Sequence, residues 1–150
     1  MHQAMAATMT TTLFDKDRCS WALEQAALIR SGRAAEIDLG LIAETLEEMT
    51  RSDRRELRSR LAVLLQHLLK WRFQPSHRTP SWKRTIRTQR REIESLLDES
   101  PSLKRHIETL YPKAYEDARN DAADETGLPL DTFPETNPWS YDDAMTKVMT

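Results

Sequence analysis

The spacing of five residues constrains this chain most. Leu57, Leu61, Leu64, Leu68 and Trp71 recur at gaps of four, three, four and three. Residues at those gaps share one face of an α-helix, whose repeat is 3.6 residues. The stripe predicts an amphipathic helix with its leucines in the core. Its charge setting is unusual. Residues 51–91 carry thirteen Lys or Arg against two acids, Asp53 and Glu56. Residues 1–50 carry four bases and eight acids, and residues 92–150 carry five and fourteen. The formal net charge of −2 thus hides a basic middle between two acidic flanks.

A chain of 150 residues can bury roughly 70% of its unfolded surface around one core. Three glycines are too few for a turn-rich β fold. The single cysteine, Cys19, cannot form an internal disulfide, which suits a reducing compartment and predicts a cytoplasmic protein. No apolar run approaches the ~20 residues of a membrane span, so no membrane partner is expected. The first residues have neither a basic n-region nor an apolar core. They read as a disordered lead-in over 1–13, followed by a single helical domain over 14–150.

Along that domain, Asp15 or Asp17 can cap a first helix carrying Phe14, Trp21, Leu28 and Ile29, and Gly32 ends it. Asp38 caps a second, where Leu39, Ile42, Leu46 and Met49 repeat at three, four and three. The pattern lapses over residues 50–56 before the leucine stripe begins. One straight helix over residues 38–73 would run about 54 Å, against a diameter near 38 Å for a domain of this size. The sequence therefore predicts a kink or break between Thr50 and Asp53, or else a dimer that buries the overhang.

A loop over residues 74–80 leads to a helix with Pro80 in its first turn, carrying Trp82, Ile86, Ile93, Leu96 and Leu97. Ser100 and Pro101 start another, which runs to Gly127, and Pro112 inside it should kink or split it at Tyr111. Phe133 reads as an apolar plug, and Ser140 with Asp143 as a cap for a short helix over residues 141–148. The predicted fold is all-α, one bundle of five or six helices. Leu57, Leu61, Leu64 and Leu68 lie at its centre against Trp21, Ile86, Ile93 and Ile107.

Several motifs recur together: R-S-x-R-R-E-L-x-S-R-L from Arg51, H-L-L-K-W from His67, Gln74-Pro75, Arg78, Ser81-Trp82, Thr85-Ile86 and Gln89-Arg90. S-P-S-L from Ser100, Y-x-D-A-R from Tyr115, E-T-G-L-P-L from Glu125 and Phe133-Pro134 complete the set. With these the chain resembles the bacterial domain of unknown function 29 family over residues 14–139. The resemblance implies an all-α fold and brings no established activity. Where members of that family usually show glycine, this chain has Thr50.

Candidate chemistry concentrates in the basic segment. Arg60, Leu64, His67 and Trp71 share a helical face, and with Arg78 and Trp82 they could line a pocket for an anionic or planar ligand. The competing account is a structural corner packed by two tryptophans. Arg84, Arg87 and Arg91 repeat at three and four, the best stripe for phosphates, with Trp71, Phe73 and Trp82 available to stack bases. Against that, the arginines can be neutralised internally by Glu44, Glu47, Glu116 or Asp117. The four histidines have no ligand spacing and one cysteine cannot build a thiolate site, so no metal and no cofactor is expected. No nucleophile elbow and no glycine-rich phosphate loop appears. The reading is a non-catalytic interaction module that binds a protein partner or itself. A nucleic-acid-associated protein is the first alternative, and an enzyme centred on His67 the second.

Overall fold

A computed structural model describes residues 13–150. It is all-α, with no strand among the described residues. The helices are α1 (Arg18–Arg30), α2 (Leu39–Phe73), α3 (Pro80–Glu99), α4 (Ile107–Thr126) and α5 (Tyr141–Thr146), with a helical turn over residues 13–16 before them. Short 3₁₀ turns lie between them, the longest being Pro101–His106. No helix among the described residues is long and apolar enough to cross a membrane. The contacts divide the chain into two units, one ending at Thr50 and the other Arg51–Thr150. The expected lead-in lies almost wholly outside the described residues.

In the first unit, Asp17 caps α1, its carboxylate accepting from the Ser20 backbone N–H at 3.0 Å. Gly32 follows the helix at φ +73°, a left-handed conformation that costs glycine nothing. The Asp38 carboxylate accepts from the Leu41 N–H at 3.0 Å and starts α2. Gln25 is buried and its side-chain oxygen accepts from the Asp38 N–H at 2.8 Å, which ties the connection to α1. The buried Trp21 indole stands edge-on to Phe14, centroids 5.0 Å apart. Trp21 and Gln25 are the buried residues of this unit among those described.

Helix α2 is unbroken for 35 residues, about 52 Å. The break expected between Thr50 and Asp53 does not form. Thr50 does not cap; its hydroxyl donates back to the Glu47 carbonyl at 2.7 Å, inside the helix. Arg54, Arg55 and Glu56 are good helix formers and carry the backbone through. The boundary between the units falls at this lapse in the pattern, inside a continuous helix.

The second unit holds one apolar cluster. Leu57, Leu61, Leu64, Leu65 and Leu69 of α2 are fully buried, with Leu68 close behind. Ile86, Ile93, Leu96 and Leu97 of α3 join them, as do Leu103 and the small face Ala114, Ala118 and Ala122 of α4. Ile107 packs at the edge. Thr79 caps α3 through the Trp82 N–H at 3.2 Å, with Pro80 in the first turn. Pro112 does not split α4: the chain from Pro101 is 3₁₀ up to His106, and α4 runs from Ile107 straight through the proline. Pro112 is exposed, so the carbonyl left without its N–H partner can turn to water. Gly127 ends α4 at φ +73°. The last helix is shorter than expected, stopping at Thr146.

The irregular stretch after α4 is strapped down from one face of that helix. Tyr111 donates to the Trp139 carbonyl at 3.0 Å, Tyr115 to the Pro134 carbonyl, and Arg119 to the Phe133 carbonyl at 3.1 Å. Those three side chains sit four residues apart, so they form one row. They satisfy carbonyls that have no ladder partner. Burial pushes the Tyr111 hydroxyl up to about 12, so it stays a donor at physiological pH.

Candidate functional site

The basic segment is largely engaged in structure. Arg78 lies over the Trp71 ring, 4.6 Å from its centroid. It donates Nε to the Trp71 carbonyl at 2.8 Å and Nη1 to the Thr150 carbonyl at 2.9 Å. It thus caps the C-terminal end of α2, where carbonyls lack partners and the helix dipole is negative. Arg90 does the same for α5, donating to the Ala144 and Lys147 carbonyls at 2.9 Å. Arg58 grips Asp117 of α4 with two bonds, at 2.7 and 3.0 Å. That is the internal neutralisation expected for Asp117. A half-exposed, solvent-screened pair of this kind adds little stability, but it helps fix which helices are neighbours.

The two tryptophans of the corner do not form one site. Trp71 borders a cavity of about 230 Å³ with Arg72, Arg78, Trp139, Asp143 and Lys147. Trp82 instead faces Lys70, whose ammonium lies 4.7 Å from the ring centroid. Lys70 is 2% exposed and pairs with Glu125 at 2.9 Å, and Gln66 bonds the other Glu125 oxygen. Each of the two indoles therefore already carries a cation over one face. Arg60 pairs with Glu56 at 3.0 Å and reaches Gln89 at 3.4 Å, away from the cavity.

His67 is half-buried. Its Nδ1 lies 2.8 Å from the Val63 carbonyl, one turn back. Burial, with the Lys70 charge beside it, holds its pKa below the ordinary imidazole value. The ring is then neutral near pH 7 and donates Nδ1–H to Val63. No carboxylate among the described residues hydrogen-bonds it. No three His, Cys, Asp or Glu side chains converge on a cation position among the described residues.

The stripe on α3 is open. Arg84, Arg87 and Arg91 are exposed, as is Lys83. Arg91 stands 4.0 Å from Glu92, whereas Lys83, Arg84 and Arg87 make no ion pair with a described residue. Arg87 and Arg90 also border an apolar hollow of about 300 Å³ floored by Ile86, Val148 and Met149.

A run of exposed apolar side chains lies elsewhere, on the first turns of α2. Leu39, Leu46 and Met49 are 72%, 58% and 60% exposed, and Ile42 between them is half-buried. At 100° per residue these four fall within an arc of about 80°. The spacing was legible in the sequence; that the stripe stays uncovered was not, because periodicity reports a face and not what covers it. Lys70 was also missed, since a lysine ending an apolar run normally reads as a solvated tip.

No curated protein and no solved structure matches this chain. The family model described as "Domain of unknown function DUF29" matches residues 13–149, so the chain belongs to that family.

Proposed function

We propose that this protein is a non-catalytic helical interaction module, and that its binding face is the stripe Leu39, Ile42, Leu46 and Met49. The observation that carries the reading is the exposure of three large apolar side chains on one helical face. Burying a side chain of this size gains roughly 1.5–3 kcal/mol, and α2 leaves most of that unused here. The gaps of three, four and three are those by which one amphipathic helix grips another.

In dilute solution, the double substitution Leu39→Ala/Leu46→Ala should leave the unfolding free energy within about 0.5 kcal/mol of the parent, as for other surface sites. Urea unfolding measures this. A loss above about 2 kcal/mol would mean the stripe is packed inside the folded chain, and the reading would fail.

The open α3 stripe supports a second reading, a polyanion partner. Single-stranded RNA should then bind at low salt and release steeply as salt rises. Arg84→Ala/Arg87→Ala should reduce the slope of log affinity against log salt by about one to two. Absence of binding at low salt ends this reading.

A further inference from the structure

We infer that the hollow between α3 and the stretch after α5 is a binding site for a free anionic amphiphile, a short apolar chain ending in a carboxylate or phosphate. At about 300 Å³ the hollow falls at the lower end of the range for small-molecule sites. Ile86 on its floor is 1% exposed, and Met149 packs against the core. Thr146 and Val148 complete the lining from the C-terminal stretch.

The charges around this hollow are of one sign. Lys83, Arg87 and Arg90 line it, and no acid does. Their duties differ. Arg90 spends its guanidinium on the Ala144 and Lys147 carbonyls, which ties down the stretch that carries Val148. Lys83 and Arg87 are exposed, and neither side chain makes a hydrogen bond or ion pair with a described residue. They lie four residues apart on α3, so they share a face one turn apart. Elsewhere in the basic segment cations are matched: Arg58 by Asp117, Arg60 by Glu56, Lys70 by Glu125. Two unmatched cations thus stand beside an apolar recess. An anionic head between them gains charge-assisted hydrogen bonds, while its chain covers Ile86, Val148 and Met149.

A bilayer surface fits less well. An interfacial helix lays an exposed apolar face on the membrane, and α3 exposes no large apolar side chain. A nucleic acid would use the same cations but brings no apolar chain. The inference therefore shares Arg87 with the polyanion reading and parts from it at Val148 and Met149. It does not depend on the α2 stripe.

Titration of the full chain with decanoate, followed by the methyl resonances of Ile86, Val148 and Met149, tests this. Those resonances should shift together and saturate with a dissociation constant of about 1 mM or below. Decyl phosphate run beside it shows which head is preferred, and saturable binding of either meets the expectation. Decanol, which brings no charge, should bind at least ~10-fold more weakly. Arg87→Ala should weaken the anion roughly 10-fold. Val148→Asp, which sets a carboxylate beside the hollow, should weaken it at least as much. Both positions are exposed, so the circular dichroism spectrum should stay unchanged. Arg84 does not line the hollow, and Arg84→Ala should change the affinity less than about 2-fold, whereas RNA would respond to Arg84 and Arg87 alike. No saturable shift with either anion up to about 5 mM overturns the inference. So does equal affinity for decanoate and decanol, or indifference to Arg87→Ala. Shifts confined to Leu39, Leu46 and Met49, or binding to vesicles of anionic lipid without binding to either free anion, overturn it as well.

Discussion

Phe133→Ala should lower the unfolding free energy by about 3–5 kcal/mol, the range for removing a fully buried aromatic ring. Phe133 lies outside the helices, in the stretch after α4, yet it is 1% exposed. Its ring stands edge-on to Phe73 at the end of α2, with centroids 5.9 Å apart. Truncation would leave a cavity beneath the row of Tyr111, Tyr115 and Arg119. That row can hold the carbonyls of the stretch but cannot fill the space. The bond from Arg119 goes to the Phe133 backbone and survives the substitution. The loss is therefore a packing loss, and Phe133→Leu should recover more than half of it. Chemical denaturation of the three proteins reads the result. A change under about 1 kcal/mol for the alanine variant would mean that the stretch after α4 merely lies on the helical core.

The elements most legible in the sequence were those where local chemistry decides. Asp17, Asp38, Thr79 and Ser140 cap helices as their side-chain oxygens allow, and both Gly32 and Gly127 take the left-handed turn. The leucine stripe lies in the core because its period matches a helix with one dry side. The lapse over residues 50–56 predicts a kink or break between Thr50 and Asp53, but the helix is continuous there and only the contact pattern divides. A helix continues wherever its backbone bonds are made and its residues tolerate the conformation, and arginine and glutamate do. What stops at the lapse is packing, which leaves the backbone untouched. Pro112 gave a similar lesson. Its cost depends on whether the orphaned carbonyl can reach water, which a sequence does not report.

The candidate site was less legible for the same reason. Trp71 and Arg78 do meet, since the loop between them is short and the helix end needs a cation. Trp82 turns to Lys70 instead, because an ammonium that is 2% exposed needs its face as well as the Glu125 carboxylate. Arginines of the one basic segment serve unlike purposes: Arg58 pairs with Asp117, Arg78 and Arg90 cap helix ends, and Arg84 and Arg87 stay open. Composition shows a basic segment and cannot show how it is shared between structure and surface.

Helix α2 is a single helix whose later turns are core and whose first turns expose their apolar side chains. Native-state hydrogen exchange along α2, in dilute solution, tests this division most directly. Amides near Leu61, Leu64 and Leu69 should exchange only through global unfolding, at the full stability of about 5–15 kcal/mol. Amides of Ala43, Leu46 and Met49 should exchange through local opening, at a cost lower by several kcal/mol. Protection of equal height from Ala43 to Leu69 would contradict the division, because it would place the first turns of α2 in the same cooperative core as the leucines.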